Sequence, residues 1–159
     1  MRISLSLLAL SLGMAGVSPA LAAPGAFLAK AIKGDNAEMR LGKLAQTHGQ
    51  SAAVRRFGAT LARDHGTARR AALPVARRHG VAIPDGMTDE AQAEYAKLDQ
   101  LRGPSFDREF ARYMVEDHRK DIAAFSREAA SRDPGDVRAL ARQTLPALRR
   151  HLRMARALG

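Results

Sequence analysis

The 159-residue chain has no cysteine. That excludes disulfide staples, thiolate metal ligation and thiol catalysis, so the core alone must hold the fold. Tryptophan is absent too, and aromatic residues make up only 4% of the chain, so the core has to be narrow and rich in Ala and Leu. No β-rich run competes with helical periodicity, and no glycine-rich phosphate loop occurs. No Ser or Thr stands out as a nucleophile. Past the N-terminal stretch, no apolar run is long enough to span a bilayer.

Acidic side chains are in the minority, 16 Asp and Glu against 26 Lys and Arg, for a formal charge of +10. Such a surface favours anionic partners such as lipid headgroups or surface polysaccharide. It is equally the ordinary solvated surface of an Arg- and Ala-rich protein.

Residues 1–22 have the pattern of a secretory signal peptide. Arg2 gives the positive start, Ile3 to Ala15 the short apolar stretch, and Ala20 and Ala22 the small residues of a cleavage site. No cysteine follows the apolar stretch, which excludes lipoprotein processing. The expectation is a periplasmic or secreted protein cut near Ala22, with one domain over residues 23–159.

That domain is helical almost throughout. The first segment, about Ala26 to His48, repeats Phe27, Ala31, Glu38, Leu41 and Ala45 at helical spacing. Gly49 ends it, and Ser51 suits the N-cap of the second segment, which stops at Gly80. The second seam is Val54, Phe57, Leu61, His65, Ala68, Ala72 and Val75; Pro74 inside it should kink or break the helix. Residues 80–103 form one long connection with a short helix starting near Asp89 and Glu90. The third segment, about Ser105 to Arg132, carries Phe106, Phe110, Met114, His118, Ile122 and Phe125. The fourth, about Val137 to Leu158, carries Val137, Ala141, Thr144, Leu148, His151 and Ala155, with Pro146 expected to bend it. Two short connections and one long one predict an all-α, ferritin-like four-helix bundle with one long crossover containing a short helix.

Two segments share the pattern F-x3-[LM]-x2-D-H: Phe57, Leu61, Asp64, His65 and Phe110, Met114, Asp117, His118. Spacing by four places Phe, Leu or Met, and His on one face, with each Asp on a flank. Folding the segments back on their turns brings Glu38, His65, His118 and His151 toward one mid-bundle layer, flanked by Asp64 and Asp117. Two readings stand: a Zn, Cu or Fe site built from facing helices, or a buried polar network in which Asp64 and Asp117 pair with Arg from neighbouring helices. The Glu-x-x-His pairs of di-iron bundles are missing. Each Asp also points away from the His beside it, which gives acid–base catalysis little support.

A combination of features along the chain resembles the exported bacterial domain-of-unknown-function family 4142. It comprises Phe27-Leu28, Ala31 and Glu38; Phe57 through Asp64-His65; Gly80-Val81 and Pro84; Phe106-Asp107; Met114 through Asp117-His118; and Thr144-Leu145-Pro146 with Leu148, His151, Leu152 and Ala155. The resemblance implies a ferritin-like helical bundle and an exported location, and it implies no established activity.

Arg138, Arg142, Arg149, Arg153 and Arg156 share one side of the last segment, either as a docking face for anionic envelope components or as the solvent face of an amphipathic helix. Stacking aromatics are absent from that side, so nucleic acid is not expected as a partner. The reading is a non-enzymatic envelope- or stress-related binding protein, with a metal-binding bundle and a basic surface binder as alternatives.

Overall fold

A computed structural model describes residues 22–159 of the chain. The signal-peptide expectation therefore lies outside the described residues, apart from Ala22. Five helices follow in order: α1 (Ala22–His48), α2 (Ala52–Arg78), α3 (Asp89–Asp99), α4 (Gly103–Ala129) and α5 (Gly135–Arg156). Among the described residues there is no strand, only an isolated bridge between Gly49 and Gly103.

Local chemistry sets most of the boundaries. The Ser51 hydroxyl accepts from the Val54 amide at 3.1 Å, capping α2, and the Thr88 hydroxyl accepts from the Ala91 amide at 3.2 Å, capping α3. After α2, Gly80 adopts φ +66°, the left-handed conformation that lets the chain leave a helix. α4 begins at Gly103 and α5 at Gly135, each two residues before the start expected from the seams. In α4 the earlier start is allowed because Pro104 occupies the first turn, where its missing amide is not needed.

Neither internal proline breaks its helix. α2 continues through Pro74 to Arg78, and α5 through Pro146 to Arg156. Each proline forfeits one backbone hydrogen bond. Burial of the surrounding turns offsets this: Ala72, Val75 and Ala76 flank Pro74 in the core, and Leu145 and Leu148 flank Pro146.

α1 and α2 form one helical hairpin and α4 and α5 a second; α1 also packs beside α4, and α2 beside α5. At one end, the Asp107 carboxylate of α4 accepts from the Gln50 and Ser51 amides, both at 2.8 Å, next to the Gly49–Gly103 bridge. At the other, Asp136 at the start of α5 accepts from Arg78 and from His79 Nε2, each at 3.0 Å, at the end of α2. The starts of α2 and α4 thus share one end of the bundle, so the two helices run parallel. The crossover between them is pinned to α1 by Asn36, whose amide donates to the carbonyls of Pro84 and Gly86, both at 3.0 Å.

Most of the apolar core falls into two regions, with a small separate cluster of Ala37, Met87 and Ala91. One, at the α1–α2 turn end, contains Leu41, Leu44, Val54, Phe57, Leu61, Phe106, Phe110 and Met114. The other, at the opposite end, contains Leu28, Ile32, Val75, Val137 and Leu140 with the neighbouring Phe125, Leu145 and Leu148. A buried polar layer, contributed by all four long helices, lies between them.

α1 and α2 approach most closely at Gly42 and Gly58. A Cβ on Gly58 would lie 2.5 Å from the Gly42 carbonyl oxygen and 2.8 Å from the Ala45 Cβ, and a Cβ on Gly42 would lie 2.6 Å from the Gly58 oxygen. The obstacles are mostly backbone, so the helices would have to separate. Gly58→Ala is therefore expected to destabilise the protein by about 1–3 kcal/mol, as overpacking does. Gly34→Ala in α1, where a Cβ meets nothing within 4 Å, should instead raise stability by up to about 1 kcal/mol through helix propensity. Urea unfolding of the two variants checks both signs.

Candidate functional site

The polar layer is built from single turns of the long helices. α1 supplies Asp35 and Glu38, α2 supplies Asp64 and His65, α4 supplies Asp117, His118 and Asp121, and α5 supplies His151. Each histidine lies on its helix's apolar seam, so packing the seams together drives the imidazoles inward. They are 4%, 0% and 1% exposed for His65, His118 and His151, so bulk solvent does not reach their ring nitrogens. The ring centroids are 5.9 Å apart for His65–His118, 5.3 Å for His65–His151 and 5.4 Å for His118–His151.

Each ring is oriented by one hydrogen bond from its outer nitrogen. His65 Nδ1 faces the Asp35 carboxylate at 2.9 Å, His151 Nε2 faces Asp64 at 3.0 Å, and His118 Nδ1 faces the Met114 carbonyl at 3.0 Å. A carbonyl or a carboxylate can only accept, so each of these nitrogens carries the hydrogen. In the neutral rings the lone pairs then sit on His65 Nε2, His118 Nε2 and His151 Nδ1, and all three atoms are buried without a hydrogen-bond partner. One nitrogen from each ring lies within 4.8 Å of one from each of the others. Burial pushes the pKa of His118 well below the usual imidazole value, helped by the neighbouring rings. Burial also lowers His151, to about 4, against the raising effect of Asp64. Both rings are thus held neutral, the form that carries a free lone pair.

A second group adjoins the first. One donor atom each of Glu38, Asp117 and His118 lies within 4.8 Å of the others. Glu38 is 1% exposed, and neither of its carboxyl oxygens has a hydrogen-bond partner. Burial, followed by the Asp117 charge, pushes the Glu38 pKa well above the ordinary carboxylate range. Burial raises Asp117 as well. Asp121 is pushed up to about 7, first by burial and then by Asp117. Beside His65, Asp35 and Asp121 line a cavity of about 30 Å³, room for about one water-sized species.

The residues expected to converge do so, with changes in their partners. Asp64 pairs with an arginine of a neighbouring helix, Arg150 at 2.8 Å, and also with His151. Asp117 pairs with no arginine among the described residues; it lies beside Glu38 of α1. Asp35 and Asp121 belong to the layer and were not expected. The basic row on α5 is not uniform. Arg142, Arg149, Arg153 and Arg156 are exposed, but Arg142 donates to the Ala129 carbonyl and Arg138 is half-buried.

What the fold and the layer define is an all-helical bundle with a histidine–carboxylate centre. Residues 12–158 match the family described as Domain of unknown function (DUF4142), and the chain belongs to that family. Its fold is similar to a crystal structure of a DUF305 fragment from Deinococcus radiodurans, with a TM-score of 0.74 over 86% of this chain and 95% of that one. At 21% identity this likeness shows the fold alone. No curated protein matches the chain.

The hydrogen-bond pattern sets the expected effect of two substitutions on stability. Asp64→Ala strands His151 Nε2 in the core and should cost about 1–3 kcal/mol. His118→Leu removes an unpartnered nitrogen and keeps the volume apolar, so it should leave stability within about 1 kcal/mol or raise it. Urea denaturation in the presence of a chelator measures both.

Proposed function

We propose that this protein is an exported, non-enzymatic helical bundle of ferritin-like connectivity that binds a transition-metal ion through His65, His118 and His151. The supporting observation is the set of three ring nitrogens, His65 Nε2, His118 Nε2 and His151 Nδ1, each buried, unpartnered and opposite a ring nitrogen held by a hydrogen bond. That is the arrangement by which proteins orient histidine ligands, with carboxylates or carbonyls behind the rings. A purely structural network would leave these three nitrogens unpaired. At about 1–3 kcal/mol for each stranded group, they would cost a large part of the net stability of a whole domain.

Three imidazoles suit Zn, Cu or Fe. When bound, such an ion supplies Lewis acidity or electron-transfer capacity. The chain's own residues set the geometry: Asp35, Asp64 and the Met114 carbonyl hold the rings, and the apolar residues above and below exclude bulk water. Export is supported by the charge, apolar stretch and small-residue pattern of residues 2–22.

Calorimetric titration of chelator-stripped protein with Zn²⁺ should give one tight imidazole-bound ion per chain and a thermal midpoint that rises with zinc concentration. His118→Ala should abolish retention of that ion through gel filtration. Asp64→Asn should weaken binding by about 10–100-fold, since it loosens His151 without removing a ligand. Equal zinc uptake by His118→Ala and the unaltered protein would sink the reading.

A further inference from the structure

The imidazole cluster accounts for three of the unpartnered atoms in the layer and leaves the Glu38 carboxyl unexplained. That carboxyl is 1% exposed, and both of its oxygens are buried without a partner, aimed at Asp117 and His118. Two buried carboxyl groups side by side need either a shared proton or a cation between them. No arginine or lysine pairs with Glu38 or Asp117 among the described residues. Lys120, one turn along α4 from Asp117, is engaged by Glu90 at 2.6 Å and Glu116 at 2.9 Å.

The surroundings extend the same chemistry. On α1, Asp35 precedes Glu38 by three residues, and on α4, Asp121 follows Asp117 by four, so each pair shares one helix face. The two helices pack side by side and run in opposite directions, since the end of α1 meets the start of α4 at the Gly49–Gly103 bridge. Glu38 therefore faces Asp117, with Asp35 and Asp121 one turn further along. Asp35 is already committed to His65, while Asp121 lines the small cavity beside that ring.

We propose that Glu38 and Asp117, with Asp121 one turn away, form a second cation site of oxygen donors adjoining the three-histidine site. The proposal rests on the imidazole reading above, because His118 belongs to both groups and its one free nitrogen is assigned to the histidines. Oxygen donors without imidazole favour a hard divalent ion such as Mn²⁺ or Mg²⁺ over the softer ions that imidazoles select. The centre is thus a pair of neighbouring sites with different preferences, nitrogen on one side and carboxylate on the other.

The test begins with purified, chelator-stripped protein loaded with one equivalent of Zn²⁺ and then titrated with Mn²⁺. Free Mn²⁺ is read from its electron paramagnetic resonance signal, and both ions are counted by mass spectrometry after gel filtration. The expected result is one Mn²⁺ bound beside one Zn²⁺. The isosteric double variant Glu38→Gln, Asp117→Asn should weaken Mn²⁺ binding by more than about 100-fold while changing zinc affinity by less than about threefold; His151→Ala should chiefly affect zinc. Zinc bound with all Mn²⁺ left free, or Mn²⁺ held equally by the double variant, overturns the second site and leaves the first standing. Retention of neither ion overturns the three-histidine reading and this one together. Should the double variant fail to fold, as judged by circular dichroism, the ion count on the unaltered protein decides.

Discussion

Three hydrogen bonds, from His65 to Asp35, from His151 to Asp64 and from His118 to the Met114 carbonyl, are the constraint on which the middle of this bundle depends. Each fixes a ring's orientation, and together they leave one unpartnered nitrogen on each of three rings whose centroids lie within 5.9 Å of one another. The carboxylates must stand behind the rings, so α1 and α2 carry acids at positions that a bundle core would otherwise fill with leucine. The apolar regions on either side are equally required. Phe57 and Phe110 close the layer from one end, and Leu148 with Phe125 from the other, keeping the local dielectric low enough for the pairings to be directional.

The histidines were legible in the sequence because each occupies a seam position one turn after a large apolar side chain: His65 four after Leu61, His118 four after Met114 and His151 three after Leu148. The turn positions at Gly49 and near Pro134 then set the heights at which the helices face one another. Asp35 was not legible in the same way. It lies in the polar run Lys33-Gly34-Asp35-Asn36, which looks like a gap in the seam, and only its phase three and seven residues after Ile32 and Leu28 marks it as inward. Asp121 was hidden by Ile122, the obvious seam residue beside it. Partners were harder to foresee than positions. Helical geometry says that Asp117 leaves its own helix at a flank, but whether it meets an arginine or a glutamate depends on which helix packs there.

The prolines show the same division between local rule and tertiary outcome. Pro74 and Pro146 each remove a backbone hydrogen bond, yet the chain on both sides stays helical because its apolar face is already buried. At Gly42 and Gly58 the relation is reversed. There the absence of side chains sets the packing distance, and the α1–α2 hairpin owes its close contact to two residues that add no apolar surface.

Half of the layer comes from the α1–α2 hairpin and half from the α4–α5 hairpin, and no donor set is complete within either. Any ion held between His65 and His118 or His151 would therefore close a loop of more than fifty residues, in the manner of a covalent bridge. A chain without a single cysteine would gain from it a removable cross-link, one that adds to the apolar contacts between the two hairpins while the ion is present and is lost when it leaves.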